Sequence, residues 1–291
     1  MATTTPKNLQ LQVPEPPRLP AATVEYDSHF QEQFMNVLRL YFNRLRNFEE
    51  LLSGVTGGGL LRFPYGAFHQ DGNTALTAGI AGGSTTPIPV TSTDSFPAAG
   101  WILIGTEVIQ YTSKTSTTFV GITRGVFGTT SASHSTGDAV TEVQGTGSPT
   151  TIGQMLFNNT DYSNSVYTTS ADYSKIYFDV PGLYNIQISV QLLNFTTSED
   201  NVTLWFRKNG VDLPATASIQ QVNSKHGGTP GAMILSLNVF VDVVLGDYIQ
   251  LAWASDTGNT VVATAPAGTS PVHPVSPAVI LTATFVSAIY P

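Results

Sequence analysis

Residues 184–192, YNIQISVQL, alternate without a break. Tyr184, Ile186, Ile188, Val190 and Leu192 fall on one face, and Asn185, Gln187, Ser189 and Gln191 on the other. A period of two over this length is incompatible with an amphipathic helix and predicts a half-buried strand. The pattern recurs. Leu235, Leu237, Val239, Val241 and Val243 share a face, as do Ile249, Leu251 and Trp253, and AVILTATFVSAIY reads as a last strand near the C-terminus. Strands that each bury one face need a second layer, so this half of the chain is expected to form two packed antiparallel sheets.

How neighbouring strands connect is readable at NVTLWFRKNGVDLP, residues 201–214. Val202, Leu204 and Phe206 alternate with Thr203, Trp205 and Arg207 before Asn209-Gly210 breaks the run. Asn-Gly between alternating residues signals a hairpin, because a type I′ turn needs positive φ at both central positions. Arg207 and Lys208 at its tip are expected to be solvated cations of a turn rather than a binding site for an anion.

The chain has 291 residues, a net charge of −8 and no cysteine, which leaves room for a large core and rules out a disulfide framework. Charged residues are only 11%, so a surface rich in Thr, Ser, Gly and Asn keeps it in solution. Lys7, Arg18, Arg39, Arg44, Arg46 and Arg62 balance the acids of residues 1–62, and the whole negative charge sits beyond them. That larger part repels phosphate, so nucleic-acid binding is disfavoured. No apolar segment follows a basic region at the N-terminus, so no signal peptide is expected, and no segment is long and apolar enough for membrane insertion.

Five prolines in residues 1–25 exclude a helix and predict an extended arm, either a disordered tail or a segment ordered by lying along a partner. Residues 26–53 follow with helical periodicity, with Asp27 or Ser28 as N-cap and Gly54 beyond the end. Phe34, Val37, Tyr41 and Phe48 make one apolar seam; Met35, Leu38, Phe42, Leu45 and Leu52 make a second beside it. A face this wide suits a bundle of three or more helices. Either the helix packs on its own domain or copies from other subunits cover it. Proline on one side and GVTGGG on the other leave it no neighbour in sequence to cover it, so the second is the expectation, an oligomerising helix.

Residues 54–86 read as a Gly-rich linker followed by a candidate first strand of the C-terminal domain. Residues 87–143 read as a small inserted β module of four or five strands with turns at Gly100, Gly105, Gly121 and Gly128. Trp101, Leu103, Val108, Ile109, Tyr111, Phe119, Ile122 and Phe127 are expected to fill one core there. Residues 144–291 complete the chain as the long-stranded domain.

DVPGLYNIQISVQL, LWFRKNG and VVLGDYIQLAW, in that order, resemble the jelly roll of tumour necrosis factor and the complement globular head. The matching positions are Gly182 and Tyr184, Lys208-Asn209-Gly210, and Leu245 with Gly246-Asp247, where the spacing is shorter than in that family. Ala67-Phe68 in PYGAFHQDGNTAL fits the family's first strand. The resemblance implies a C-terminal antiparallel jelly-roll sandwich and a homotrimer packed through aromatic-rich faces. The N-terminal FMNVLRLYFNRLRN, the RFPYGAF segment and the GWILIGTEVIQY module are similar to parts of bacteriophage virion proteins, marine phages in particular.

Chemistry-bearing motifs are absent. His29, His69, His134, His226 and His273 are scattered without metal-ligand spacing, and there is no nucleophile elbow, phosphate loop or dinucleotide fingerprint. Glu199-Asp200 lies in the turn-like TTSEDN rather than in a paired-carboxylate setting. The expectation is therefore no enzyme, no cofactor and no metal. It is a trimeric short fibre or spike of a virion, made in the host cytoplasm. Residues 1–53 dock it to other virion proteins, and the jelly-roll head meets a host receptor or glycan. A trimeric capsid decoration protein and a non-viral lectin-like adhesin are the alternatives.

Overall fold

The computed structural model describes residues 15–21, 25–53 and 63–288. The chain divides into two units, Met1–Phe63 and Pro64–Pro291. In the first, the helix Ser28–Ser53 starts at Asp27, whose Oδ1 accepts from His29 N at 2.9 Å and whose carbonyl accepts from Gln31 N at 3.1 Å. Asp27 is thus the N-cap. Phe30, Phe34, Val37, Leu38, Tyr41, Leu45 and Phe48 are half-buried along one stripe, whereas Met35 and Phe42 are exposed. The Pro-rich residues 1–14, the linker 54–62 and the Leu52 side chain lie outside the described residues.

The second unit is built of antiparallel sheets. Gly182–Asn194 is the spine of the first. Gly231–Val243 runs along one of its sides for its full length, from Gly182↔Val243 to Asn194↔Gly231. Val279–Ser287 and then Thr260–Ala263 share the other side, and Tyr65–Gln70 and Asn159–Asn164 extend the sheet outward beyond Val279–Ser287. In the second sheet, Tyr248–Ser255 pairs with Asp172–Phe178 and Asp200–Lys208, flanked by Val166–Thr169, Val211–Asp212 and Ser218–Val222. The main core lies between the two. Tyr184, Ile186, Ile188, Val190 and Leu192 from one sheet join Val202, Leu204, Phe206, Ile249, Leu251 and Trp253 from the other. The alternation read from the sequence thus assigns the buried faces as observed.

The Gly-x-Tyr pair is explained by crowding. At Gly182, φ is +157°, and a Cβ would stand 2.4 Å from the Phe285 ring and 2.8 Å from Ser287 O. Tyr184 is buried edge-on against Phe178 and Phe285, and its hydroxyl donates to Val180 O at 2.8 Å. Phe68 is fully buried in the same core, which ties Tyr65–Gln70 to the long-stranded domain.

Residues 87–143 hold more strands than the sequence suggests, and two differences stand out. Gly105, Gly121 and Gly128 have positive φ, whereas Gly100 begins the strand Gly100–Ile104 instead of making a turn. The single core splits in two. Ile109, Tyr111, Phe119 and Ile122 pack with Ile102, Ile104, Leu76 and Val90, whereas Leu103, Val108, Phe127 and Trp101 pack with Phe195, Val261 and Ala263. Alternate residues of one strand point to opposite faces, and here both faces are covered. The strand Ala139–Gly145 makes the junction: it pairs with Gly100–Ile104 on one side and with Thr260–Ala263 on the other, in one continuous sheet.

Candidate functional site

The hairpin tip takes its shape from the turn. Asn209 and Gly210 have φ of 54° and 80°, the signs a type I′ turn requires. The Asn209 side chain then docks on the next turn in space. Its Nδ2 donates to Asp247 Oδ1 at 2.7 Å, and its Oδ1 accepts from Tyr248 N at 3.0 Å. Asp247 Oδ2 in turn accepts from Val244 N at 2.9 Å across Gly246, whose φ is +86°. Burial pushes the Asp247 carboxyl up, but these donors and Lys208 outweigh it and hold the group below the usual range.

Neither cation at the tip is left to bind an anion. Arg207 Nε donates to Asp212 Oδ1 at 2.7 Å, the same oxygen that accepts from Trp205 Nε1 at 2.7 Å. Lys208 Nζ donates to Asp242 O at 2.9 Å and lies 3.6 Å from Asp247 Oδ2. Three carboxylates face two cations, so the local field is negative and a phosphate would be repelled.

A broader surface lies on the outer side of the first sheet. Cross-strand rows run Phe240–Asn185–Thr284, Asn238–Gln187–Thr282 and Ser236–Ser189–Ile280. Ile234 pairs with Gln191 at the next level, and Tyr162 faces Ala67 at the far side. Phe240 is 61% exposed, Ile234 65% and Tyr162 71%. No Lys or Arg stands in these rows. Asn185 Oδ1, at their middle, is buried without a hydrogen-bond partner. These rows of amides, hydroxyls and large apolar side chains can pack against a like surface without burying a charge, and the exposed Asp242 stands beyond Phe240 at their edge.

The structure also brings together residues that sequence spacing could not. Glu107, 1% exposed, accepts from Arg124 Nε and Nη2 at 2.7 Å each, from His134 Nε2 at 2.8 Å and from the amides of Gly125 and Ala132. Burial raises the Glu107 carboxyl, yet Arg124, Ala132 and His134 together carry it below its ordinary value. This closed network fixes the loop 129–138 to the sheet and presents no free group to a substrate. Among the described residues no group of three or more His, Cys, Asp and Glu could hold a metal ion. The helix residues Phe34, Val37, Leu38, Tyr41, Leu45 and Phe48 form their own stripe within the first unit. No family model matches the chain, and no curated protein matches it.

Proposed function

We propose that this chain is a non-enzymatic virion protein, a homotrimeric short fibre or spike with a jelly-roll head for host attachment. The observation that carries the reading is the way the long strands alternate. Asp172–Phe178, Gly182–Asn194, Asp200–Lys208, Gly231–Val243, Tyr248–Ser255 and Val279–Ser287 fall in turn on the second and the first sheet. Long strands that alternate between two facing sheets are a feature of jelly-roll sandwiches. This alternation supports the trimeric family resemblance carried by Gly182, Tyr184, Lys208-Asn209-Gly210 and Gly246-Asp247. The uncharged middle rows of the outer face support self-association through the sheet, and the helical stripe of Phe34, Val37, Tyr41 and Leu45 supports a second contact among copies. Residues 1–53 then serve to dock the fibre on its particle.

The test is antibody labelling of purified particles by electron microscopy, using serum raised against residues 64–291. Label on projecting fibres or spikes is the expected result. Particles that carry the chain nowhere on their surface overturn the reading.

A further inference from the structure

At the junction of the module and the head, the strand registers bring one set of residues to a single face. Trp101 stands opposite Val143 on one neighbouring strand and opposite Gln110 on the other. Two residues past Val143, Gly145 stands opposite Val261. Just beyond the ends of those two strands come Gly147 and Asn259. With Phe127, the residues Trp101, Gln110, Gly147 and Asn259 line a cavity of about 240 Å³, and Val126 and Gly258 complete its wall.

Phe127 gives the site its shape. Its φ is 54°, a conformation that few bulky residues adopt. The ring lies over the backbone of Gly145, where a Cβ would overlap it, and meets the Trp101 indole edge-on with centroids 5.5 Å apart. Strain of this kind persists where its surroundings enforce it, and it clusters at ligand sites. The polar part of the wall is two carboxamides, Gln110 and Asn259, both half-buried. Among the described residues neither side-chain amide has a hydrogen-bond partner. No lining residue is titratable, so the wall itself carries no charge.

We infer that this cavity takes one neutral sugar ring, a terminal pyranose of a surface glycan. Its volume falls below the roughly 300–1,000 Å³ of sites for drug-sized ligands, which limits the occupant to about one ring. The C–H face of a pyranose packs on an indole, and its hydroxyls, each donor and acceptor, pair with carboxamides that offer both. An anion finds no cation in the wall, and an aliphatic chain would strip water from both amides without replacing its hydrogen bonds. The inference deepens the attachment reading and rests on it for its biological sense. Its failure leaves assembly and particle location untouched.

Nuclear magnetic resonance tests it through the indole Nε1–H signals of the full chain, labelled at its tryptophan nitrogens. Trp101→Phe identifies the Trp101 signal among those of the three tryptophans. Glucose, galactose, mannose and N-acetylglucosamine are titrated separately, with glycerol as the acyclic control. A saturable shift of the Trp101 signal with at least one sugar is expected, and none with glycerol. The double change Gln110→Ala/Asn259→Ala removes two amides that have no partner in the fold. It should weaken the binding about tenfold or more. No saturable shift with any of the four sugars up to about 50 mM, beyond the millimolar range of weak single-sugar contacts, overturns the inference. An equal shift with glycerol, or binding that the double change weakens by less, overturns it as well.

Discussion

Asn209 and Asp247 are 38 residues apart, yet the amide of one donates to the carboxylate of the other at 2.7 Å. One residue shapes the hairpin turn and the other the Gly-Asp turn, so the two tight turns at this end of the head are welded into one unit. Lys208 adds an ion contact to Asp247, and Arg207 pairs with Asp212 beside it.

The ranking of substitutions follows from that weld. Gly210→Val forces a β-branched residue to positive φ at a cost of about 1–3 kcal/mol. Asn209→Ala leaves Asp247 Oδ1 and Tyr248 N without this partner at a cost of about 1–3 kcal/mol. The double change Arg207→Ser/Lys208→Ser removes only partly exposed ion pairs and costs about 1 kcal/mol or less. Chemical denaturation of the three proteins checks the order, and a double serine protein less stable than Gly210→Val refutes it.

The buried Glu107 network makes part of the stability acid-sensitive. Its folded pKa is depressed, so its contribution is present above the unfolded value of 4.5 and is lost as pH falls through the lower folded value. Glu107→Gln strands Arg124, 4% exposed, at a cost of about 3–5 kcal/mol near neutral pH. Thermal unfolding should show the gap between variant and wild type closing in acid. A gap that is constant with pH contradicts the account.

Glu142 has the opposite sign. Its folded pKa is raised to about 8, so the folded state is favoured below the unfolded value of 4.5, and that advantage is lost as pH rises through 8. Glu142→Gln should therefore unfold several degrees higher than wild type at alkaline pH and at nearly the same temperature in mild acid. Equal melting temperatures throughout would show that the carboxyl is relieved by something other than its proton.

Much of the head was legible because its signals are local. Period two placed Tyr184 to Leu192 and Ile249 to Trp253 inward, and Asn209-Gly210 named its own turn. The junction was not. Ala139–Gly145 carries Glu142 and Gln144 on what looks like a solvent face, but strands on both sides and Gln70 and Gly72 across it bury them. Which distant strands cover a face is a property of topology, and periodicity carries no record of it. The same limit hid Glu107 from Arg124 and His134. Each looks like an ordinary polar residue until a turn brings them together.

Excision gives a graded result on this topology. Joining Thr86 to Gln144 through a short Gly/Ser linker removes Leu103, Val108 and Phe127 from Phe195, Val261 and Ala263 but leaves the core around Tyr184 and Phe206 intact. Calorimetry should show one cooperative transition at lower temperature. Loss of any transition would mean that the head cannot fold without the module.

The central claim is assembly into trimers, and the molar mass in solution tests it most directly. Multi-angle light scattering on the full chain at micromolar concentration should give about three times the 31.0 kDa chain. Leu45→Asp in the helix stripe and Phe240→Asp on the exposed sheet face should each shift that mass toward the single chain, since each buries an unpaired charge in the contact. A wild-type mass of 31.0 kDa would contradict the account.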